Sequence, residues 1–336
     1  MGMGRDPMAL GTRKIFGTIR TVTALMAVLL LTASWVFYAD DRQPSHSARI
    51  GTLQVALPEG SGTGTAFLID ECGILTNFHV VFGPWIVTAL RPPSHDFTGT
   101  FTLTEVTRPD GSHPMTRAIP VAWGDYLGPD RQWRRPEEDW AYLVLEDCLG
   151  FEHGYFDLRE ADLYEPAIDR GFTATGYSAG RQMADPACAA SADQGADAKG
   201  WLHDCATLAG DSGGPIFHAG SLTVVALASG TRAEAAGRAC LSVAPGDAWF
   251  ASWGSGCANV AVPVSTAMRE RIWDAYQTVS VQALLTKLGY QAGPLGDIDS
   301  PQLQAAIAQA KRDVGMDPDM PLQHLWCIKY LLKAER

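Results

Sequence analysis

The sequence has little positive charge. Its 336 residues include 26 Lys and Arg against 37 Asp and Glu, which gives a formal net charge of -11, and no basic stripe lies beyond the N-terminus. Because proteins bind nucleic-acid phosphates with clustered Lys and Arg, this balance argues against a nucleic-acid-binding role. The cysteines show no C-x-x-C spacing and no cluster with histidine, so a metal site is not expected.

The composition is typical of a folded protein rather than a disordered one. Hydrophobic residues make up 46% and charged residues 19% of the chain, which is enough apolar side chain for a core. A length of 336 residues exceeds what one compact core usually holds. We therefore expect two domains, or one large domain with an appendage.

The N-terminus has the pattern of an export signal. Residues 1–20 form a basic cytoplasmic n-region, and residues 21–39 form an apolar run of the length that a membrane-spanning helix needs. The bulky Trp35, Phe37 and Tyr38 make a poor cleavage site. An uncleaved inner-membrane anchor with the chain facing the periplasm is therefore favoured over a removed signal peptide and a secreted protein. A polar linker, residues 40–49, follows.

Seven cysteines fit an exported protein in an oxidising compartment, where disulfides form. Sequence alone does not fix their connectivity. Our hypothesis leaves Cys327 free and pairs Cys72 with Cys148, Cys188 with Cys205, and Cys240 with Cys257.

The rest of the chain divides into two regions with different sequence patterns. From residue 50 to about 264, short β-rich runs alternate with glycine, proline and aspartate clusters, and no long amphipathic helices separate them. This pattern predicts an all-β barrel or sandwich. Helical spacing then begins near Thr266, and Met268, Ile272 and Tyr276 share a face.

A small helical unit is predicted at the C-terminus. One helix covers 281–289 with a glycine stop, the second begins at Ser300 as N-cap with Pro301 in its first turn, and the third covers 321–333. We place the domain boundary so that 50–277 forms the β domain and 278–336 the helical domain.

Three residues beside apolar runs could form a catalytic triad. A serine hydroxyl attacks a carbonyl only when a base removes its proton, and a buried carboxylate makes a histidine base effective. His79, Asp139 and Ser212 supply one group of each kind. The glycines around Ser212 would let the N–H groups of Gly210 and Ser212 point at one spot and form an oxyanion hole.

The segment around Ser212 also matches the G-x-S-x-G elbow of α/β-hydrolases. That fold requires its acid and its histidine after the serine. Only His218 and His324 follow Ser212; the first lies too close behind it and the second belongs to the helical unit. The order His79, Asp139, Ser212 is instead that of chymotrypsin-like proteases.

The segments 76–81, 139–143 and 210–215 resemble the three signature blocks of trypsin-like serine proteases, in particular the bacterial branch related to glutamyl endopeptidases. The resemblance covers about residues 50 to 277. It implies two six-stranded antiparallel β-barrels, with the triad in the cleft between them and a helix at the C-terminal end.

The same resemblance locates a substrate pocket. Its positions fall on Ala206 and Thr207 before the serine and on Ala228, Ser229 and Gly230 in a later strand. Thr207 matches the pocket threonine of the glutamyl endopeptidases, but their pocket histidine is replaced and no aspartate stands at the base. An unpaired carboxylate in such a pocket would be costly. We expect a small or neutral residue before the scissile bond, and a substrate strand paired with the Ser229–Gly230 edge.

Residues 281–316 resemble the three-helix peptidoglycan-binding-like domain. This resemblance implies a unit directed at the cell wall. A helical cap without a ligand is the alternative.

The whole pattern predicts an exported serine endopeptidase that hydrolyses peptide bonds of proteins without a metal or organic cofactor. Its partners would be a protein or peptide substrate, peptidoglycan through the helical domain, and the membrane through the N-terminal helix. Two alternatives stay open: a catalytically silent scaffold that binds peptides or the cell wall, and an esterase, because acyl-transfer chemistry is shared.

Overall fold

The computed structural model describes most of the chain from residue 45 to residue 319. The described ranges are 45–57, 60–88, 98–126, 135–160, 169–178, 181–192, 200–218, 220–232 and 258–319. The described residues from His46 onward belong to one compact unit. The predicted n-region and signal or anchor segment lie outside the described residues. Within the ranges given, no helix is long and apolar enough to cross a membrane.

The first six strands form a closed antiparallel barrel. They are β1 (Ile50–Leu57), β2 (Gly60–Leu68), β3 (Gly73–Thr76), β4 (Thr98–Thr102), β5 (Met115–Trp123) and β6 (Ala141–Leu145). The order β1-β2-β3-β6-β5-β4 closes where β1 pairs with β4, with Leu53 opposite Phe101. Leu53 and Val55 are buried and Gln54 between them is exposed, as the two-residue period of a strand dictates.

The second barrel follows the first along the chain. Its strands are β7 (Asp157–Leu158), β8 (Asp169–Ser178), β9 (Arg181–Ala192), β10 (Trp201–His203), β11 (Pro215–His218), β12 (Thr223–Arg232) and β13 (Ala258–Pro263). Six of them follow the order β11-β8-β9-β10-β13-β12, and pairing of β11 with β12 closes the barrel. The short β7 adds in parallel to β12. The prediction of two six-stranded antiparallel barrels is therefore confirmed.

Strand β6 joins the two barrels because both of its faces are buried. Leu143 packs in the core of the first barrel, and Tyr142 packs in a larger core with Phe217 and Leu227 of the second barrel. All five residues of β6 are buried. A strand buried on both faces has a continuous apolar sequence, and this explains the apolar run after Asp139.

Besides the strands, the described residues include five α-helices. They are α1 (Phe78–Thr88), α2 (Leu149–His153), α3 (Thr266–Ala275), α4 (Val281–Lys287) and α5 (Pro301–Asp313). Met268 and Ile272 of α3 are buried in the core that contains Tyr142, and Tyr276 is half-buried. Ser300 caps α5 as predicted, because its Oγ accepts a hydrogen bond from the N–H of Leu303 at 3.1 Å.

Helix α3 continues into α4 through one π-helical turn, Tyr276–Ser280. The boundary predicted at residue 277 thus falls within a helical segment, whose Ser280 hydroxyl contacts the hydroxyl of Tyr142. Helices α4 and α5 share a small core that includes Leu285, Leu303 and Ile307. The predicted third helix, 321–333, lies outside the described residues, so the division into domains stays a prediction.

Among the described residues, each barrel region carries one disulfide. Cys72 is bonded to Cys148, and Cys188 to Cys205, as the sequence analysis predicts. The third predicted pair, Cys240 with Cys257, and the free Cys327 lie outside the described residues.

Candidate active site

His79 lies at the start of α1, where the chain leaves β3 of the first barrel. Phe78, Val80 and Val81 are buried, so the helix is fixed by its apolar side chains. The side chain of His79 is 33% exposed. The apolar run around His79 therefore packs the helix into the barrel and leaves the imidazole partly exposed.

Asp139 holds this imidazole. Its side chain is 1% exposed, and its Oδ2 lies 2.7 Å from His79 Nδ1. Its Oδ1 accepts a hydrogen bond from the backbone N–H of His79 at 2.9 Å, and the side chain of Asn77 donates to its main-chain carbonyl at 2.7 Å. Because a carboxylate accepts hydrogen bonds, this contact places a proton on Nδ1 and leaves Nε2 of the neutral ring as an acceptor.

Ser212 lies in a glycine turn between β10 and β11 of the second barrel. Gly210 and Gly213 have φ values of 105° and 86°, a region that glycine adopts without steric cost. A Cβ on Gly213 would lie 2.1 Å from the hydroxyl of Thr76, so only glycine fits there. The Ser212 hydroxyl donates to the carbonyl of Ser229 at 2.7 Å.

Two contacts fasten the Ser212 turn to the first barrel. The N–H of Thr65 on β2 donates to the carbonyl of Ser212 at 2.9 Å. The hydroxyl of Thr65 donates to the carbonyl of Gly210 at 2.8 Å and accepts from the N–H of Tyr177 at 2.8 Å. Strand β2 thus sets the position of the serine relative to the barrel that carries His79 and Asp139.

Ser229 connects the predicted triad residues in a way that the sequence analysis missed. Its hydroxyl donates to Oδ2 of Asp139 at 2.5 Å, and its carbonyl accepts from Ser212. From the sequence, Ser229 is expected only in the substrate pocket and at the edge that pairs with the substrate strand. A buried carboxylate requires several hydrogen-bond donors. The Ser229 hydroxyl, in a strand that faces the site, was therefore the signal in the sequence for a second donor to Asp139.

Neighbouring carbonyls fix the direction of the N–H groups of Gly210 and Ser212. The carbonyl of Ala209 accepts from the Ser178 hydroxyl at 3.1 Å, and the carbonyl of Asp211 accepts from Gly214 N–H at 2.8 Å. In a trans peptide the N–H points opposite to the preceding carbonyl. Within the described residues, neither N–H donates to a protein acceptor.

The predicted pocket residues lie around the same turn. Ala206 and Gly230 are exposed, Thr207 is half-buried, and Ala228 is buried. The N–H of Ala206 donates at 2.9 Å to Oδ2 of Asp185 on β9. A carboxylate thus contacts the backbone of Ala206, the predicted pocket base, at which the sequence shows no acid. Hydrogen bonds of Ala228 with Gly213 and Gly214 hold β12 against the serine turn.

Asp211, beside the nucleophile candidate, is almost completely buried. It is 3% exposed, and its Oδ2 accepts from the N–H of Leu208 at 2.7 Å. Burial raises the pKa of this carboxyl above its ordinary value. The contact with Leu208 stabilises the turn that leads into Gly210.

No family model matches the chain, and no curated protein matches it. Among solved structures, the thermostable serine protease AL20 from an extremophilic microorganism has a TM-score of 0.46 and 15% identity, covering 69% of this chain and 99% of that chain.

Two further solved structures are also proteases. Protease Anisep from Arthrobacter nicotinovorans has a TM-score of 0.45 and 14% identity, covering 68% of this chain and 95% of that chain. The active form of the Rv3671c protease from M. tuberculosis has a TM-score of 0.40 and 17% identity, covering 68% and 81%. Likenesses of this size assign no residue role in this chain.

Proposed function

We propose that this chain is a serine endopeptidase that hydrolyses peptide bonds of proteins, with Ser212 as nucleophile, His79 as general base and Asp139 as the group that orients His79. The supporting observation is the contact of 2.7 Å between Asp139 Oδ2 and His79 Nδ1. Ser229 donates to the same Oδ2 and accepts from the Ser212 hydroxyl. Base, acid and nucleophile are thus joined by hydrogen bonds across the two barrels.

The reaction follows from these positions. The Ser212 hydroxyl turns from the carbonyl of Ser229 to Nε2 of His79, gives up its proton there, and its Oγ bonds to the substrate carbonyl carbon. Asp139 stabilises the imidazolium. The tetrahedral intermediate collapses as the C–N bond breaks, and His79 delivers the proton to the leaving amine. Water then repeats the sequence on the acyl-enzyme ester, which releases the acid and restores Ser212.

The N–H groups of Gly210 and Ser212 would stabilise the oxyanion of both intermediates. Their directions are fixed by the bonded carbonyls of Ala209 and Asp211, so little reorganisation is required when charge develops. One donor of this kind is worth about 2.7–4 kcal/mol.

The substrate would lie along β12. The edge at Ser229 and Gly230 would pair with the substrate backbone as an added strand. Ala206, Thr207 and Ala228 would line the pocket for the residue before the scissile bond. Since Ala206 is uncharged and Asp185 Oδ2 is bonded to its N–H, we expect a small or neutral residue there. A peptide-library profile dominated by Glu, Lys or Arg would reject this specificity.

The protein would act outside the cytoplasm, because disulfides such as these two persist in oxidising compartments.

Anchoring through residues 21–39 and glycan binding through 278–336 are proposals from the sequence. N-terminal sequencing of the exported protein would reject the anchor if the chain begins after residue 39. Failure to co-sediment with purified peptidoglycan would reject glycan binding.

The experiment is digestion of an unfolded protein by the purified full-length chain, with every new N-terminus mapped by mass spectrometry. We expect internal cleavages by the wild type and none by Ser212→Ala or His79→Ala. Cleavage of a p-nitrophenyl ester without any peptide cleavage would indicate an esterase instead. Retention of the substrate without cleavage of either compound would indicate a binding scaffold.

A further inference from the structure

Arg271 of α3 contacts both neighbours of Asp139 along the chain. Its Nη1 lies 3.6 Å from Oε2 of Glu138, and its guanidinium lies over the ring of Trp140, 5.0 Å from the centroid. These are two different interactions, an ion pair on one side of Asp139 and a cation–π contact on the other. One side chain therefore touches the residues immediately before and after the proposed catalytic acid.

A third contact ties the same guanidinium to the first barrel. Its Nη2 donates to the carbonyl of Trp123 at the end of β5. The next residue, Gly124, donates its N–H to the carbonyl of Trp140 at 2.9 Å, and Trp123 is paired with Ala141 of β6. Arg271 thus lies where β5 ends and β6 begins.

Asp139 lies in a short segment between two elements. The segment lies between a 3₁₀ turn, Pro136–Glu138, and the first residue of β6, so Asp139 and Trp140 belong to neither element. The carboxylate meets His79 and Ser229 at 2.7 Å and 2.5 Å. A small movement of the segment would lengthen both hydrogen bonds.

Buried side chains and an N-cap fix the position of helix α3, which carries Arg271. Its Met268 and Ile272 are buried in the same core as Trp140, and Ser265 caps its first turn by accepting from the N–H of Met268 at 3.1 Å. The fork of an arginine can reach a carboxylate, a ring and a carbonyl together, whereas a lysine ammonium is a single charge on a flexible stem.

We propose that Arg271 is a positioning residue of the active site: it holds the segment Glu138–Trp140 so that Asp139 meets His79 and Ser229. This inference rests on the proposed function of Asp139. The positioning role differs from a purely structural one. An exposed ion pair, such as that of Arg271 with Glu138, contributes little to stability by itself. Arg271 itself touches neither the base nor the nucleophile.

The first measurement compares kcat and KM of full-length wild type, Arg271→Ala and Arg271→Lys on one peptide substrate. Because a displacement of about 1 Å in a catalytic group can cost up to about 100-fold in rate, we expect Arg271→Ala to lower kcat about tenfold and to leave KM unchanged. Arg271→Lys keeps the charge near Glu138 and should recover part of that loss.

The matched control is Arg269→Ala. Arg269 is an exposed arginine on the same helix, and among the described residues no hydrogen bond or ion pair joins it to Glu138 or Trp140. We expect wild-type kcat and KM. Thermal melting of every variant shows whether it is folded at the assay temperature.

The second measurement observes the position of Asp139 directly. In protein labelled with ¹⁵N-histidine, the proton between His79 Nδ1 and Asp139 should give a downfield NMR signal, because a short charge-assisted hydrogen bond deshields it. We expect Arg271→Ala to shift or broaden this signal and Arg269→Ala to leave it unchanged. The signal does not require turnover.

Each outcome separates the inference from the function on which it rests. An inactive wild type would reject the proposed function, and the NMR signal would still test whether Arg271 positions the acid. An active wild type with an unchanged signal in Arg271→Ala would overturn the inference, even if that variant melts earlier. If Arg271→Ala does not fold, Arg271→Lys and Glu138→Gln provide the test instead. A wild-type kcat and a wild-type NMR signal in both variants would overturn the inference.

Discussion

The two barrels contribute to the site in different ways. The first barrel carries both members of the proposed acid–base pair, and Asp139 binds the ring and the backbone N–H of His79 directly. The second barrel carries Ser212 in a glycine turn, which is fixed by contacts with Thr65 of the first barrel. The pair is therefore assembled within one barrel, whereas the proposed nucleophile is positioned by contacts between the two barrels.

This difference separates two kinds of damage. Changes within the first barrel should act on proton transfer, because they move the base or its acid. Changes in the second barrel or at the interface should act on the position of the serine and on the stability of its turn, except at Ser229, whose hydroxyl donates to Asp139. The predictions below address this division from the largest expected effect to the smallest.

Asp139→Asn should abolish the function of the acid–base pair. An asparagine amide favours the wrong tautomer of His79 and cannot stabilise the imidazolium, so we expect kcat to fall about 10⁴-fold in a folded protein. Kinetics on a peptide substrate measure this, with circular dichroism as the folding control. A loss below tenfold would show that Asp139 does not serve as the acid.

Removing the disulfides should destabilise the two regions unequally. The loop closed by Cys72–Cys148 spans 76 residues and that closed by Cys188–Cys205 spans 17. The loop-entropy relation predicts losses of about 4.5 and about 3 kcal/mol. Denaturant unfolding of the two double Cys→Ala variants measures both values. Equal losses, or a larger loss for the shorter loop, would contradict the prediction.

Acid should weaken the second barrel through His203 of β10. Burial lowers the pKa of this imidazole to about 4 from 6.5. The unfolded chain therefore binds more protons between these values, and stability present above pH 6.5 is lost as the pH falls towards 4. The expected loss is about 3 kcal/mol.

Replacement of His203 by glutamine should flatten the dependence of unfolding free energy on pH in this window. Replacement of the exposed His218 of the same barrel provides the control for the loss of one histidine. An equally steep profile in His203→Gln would reject this assignment.

Ser229→Ala should have the smallest effect, because it removes one donor to Asp139 and retains the carbonyl that accepts from Ser212. We expect kcat to fall about tenfold, the cost of about one hydrogen bond to a charged group. Ser229→Thr keeps the hydroxyl and should restore much of the rate. A loss as large as that of Asp139→Asn would show that Ser229 takes part in proton transfer.

Local signals in the sequence predict much of this structure. Strand-length apolar runs and turn residues indicate the β domain, and Ser300 followed by Pro301 marks a helix start that the structure has at that residue. The resemblance in three short blocks predicts the paired barrels. The glutamyl-endopeptidase branch and the wall-binding role of the helical unit stay predictions.

Contacts between distant segments could not be predicted in the same way. Asp185 reaches Ala206 from β9, Ser229 reaches Asp139 from the other barrel, and Arg271 reaches Trp140 from a helix that begins more than a hundred residues later. No local period or spacing encodes these pairs. Each arises only when packing of the two barrels and α3 brings the segments together.

The most direct test of the account is labelling of the full-length protein with a fluorophosphonate, which bonds covalently only to an activated serine. We expect one adduct, located on Ser212 by peptide mass spectrometry, with no adduct in Ser212→Ala and strongly slowed labelling in His79→Ala. Absence of labelling at saturating probe, or an adduct on another residue, would contradict a triad assembled across the two barrels.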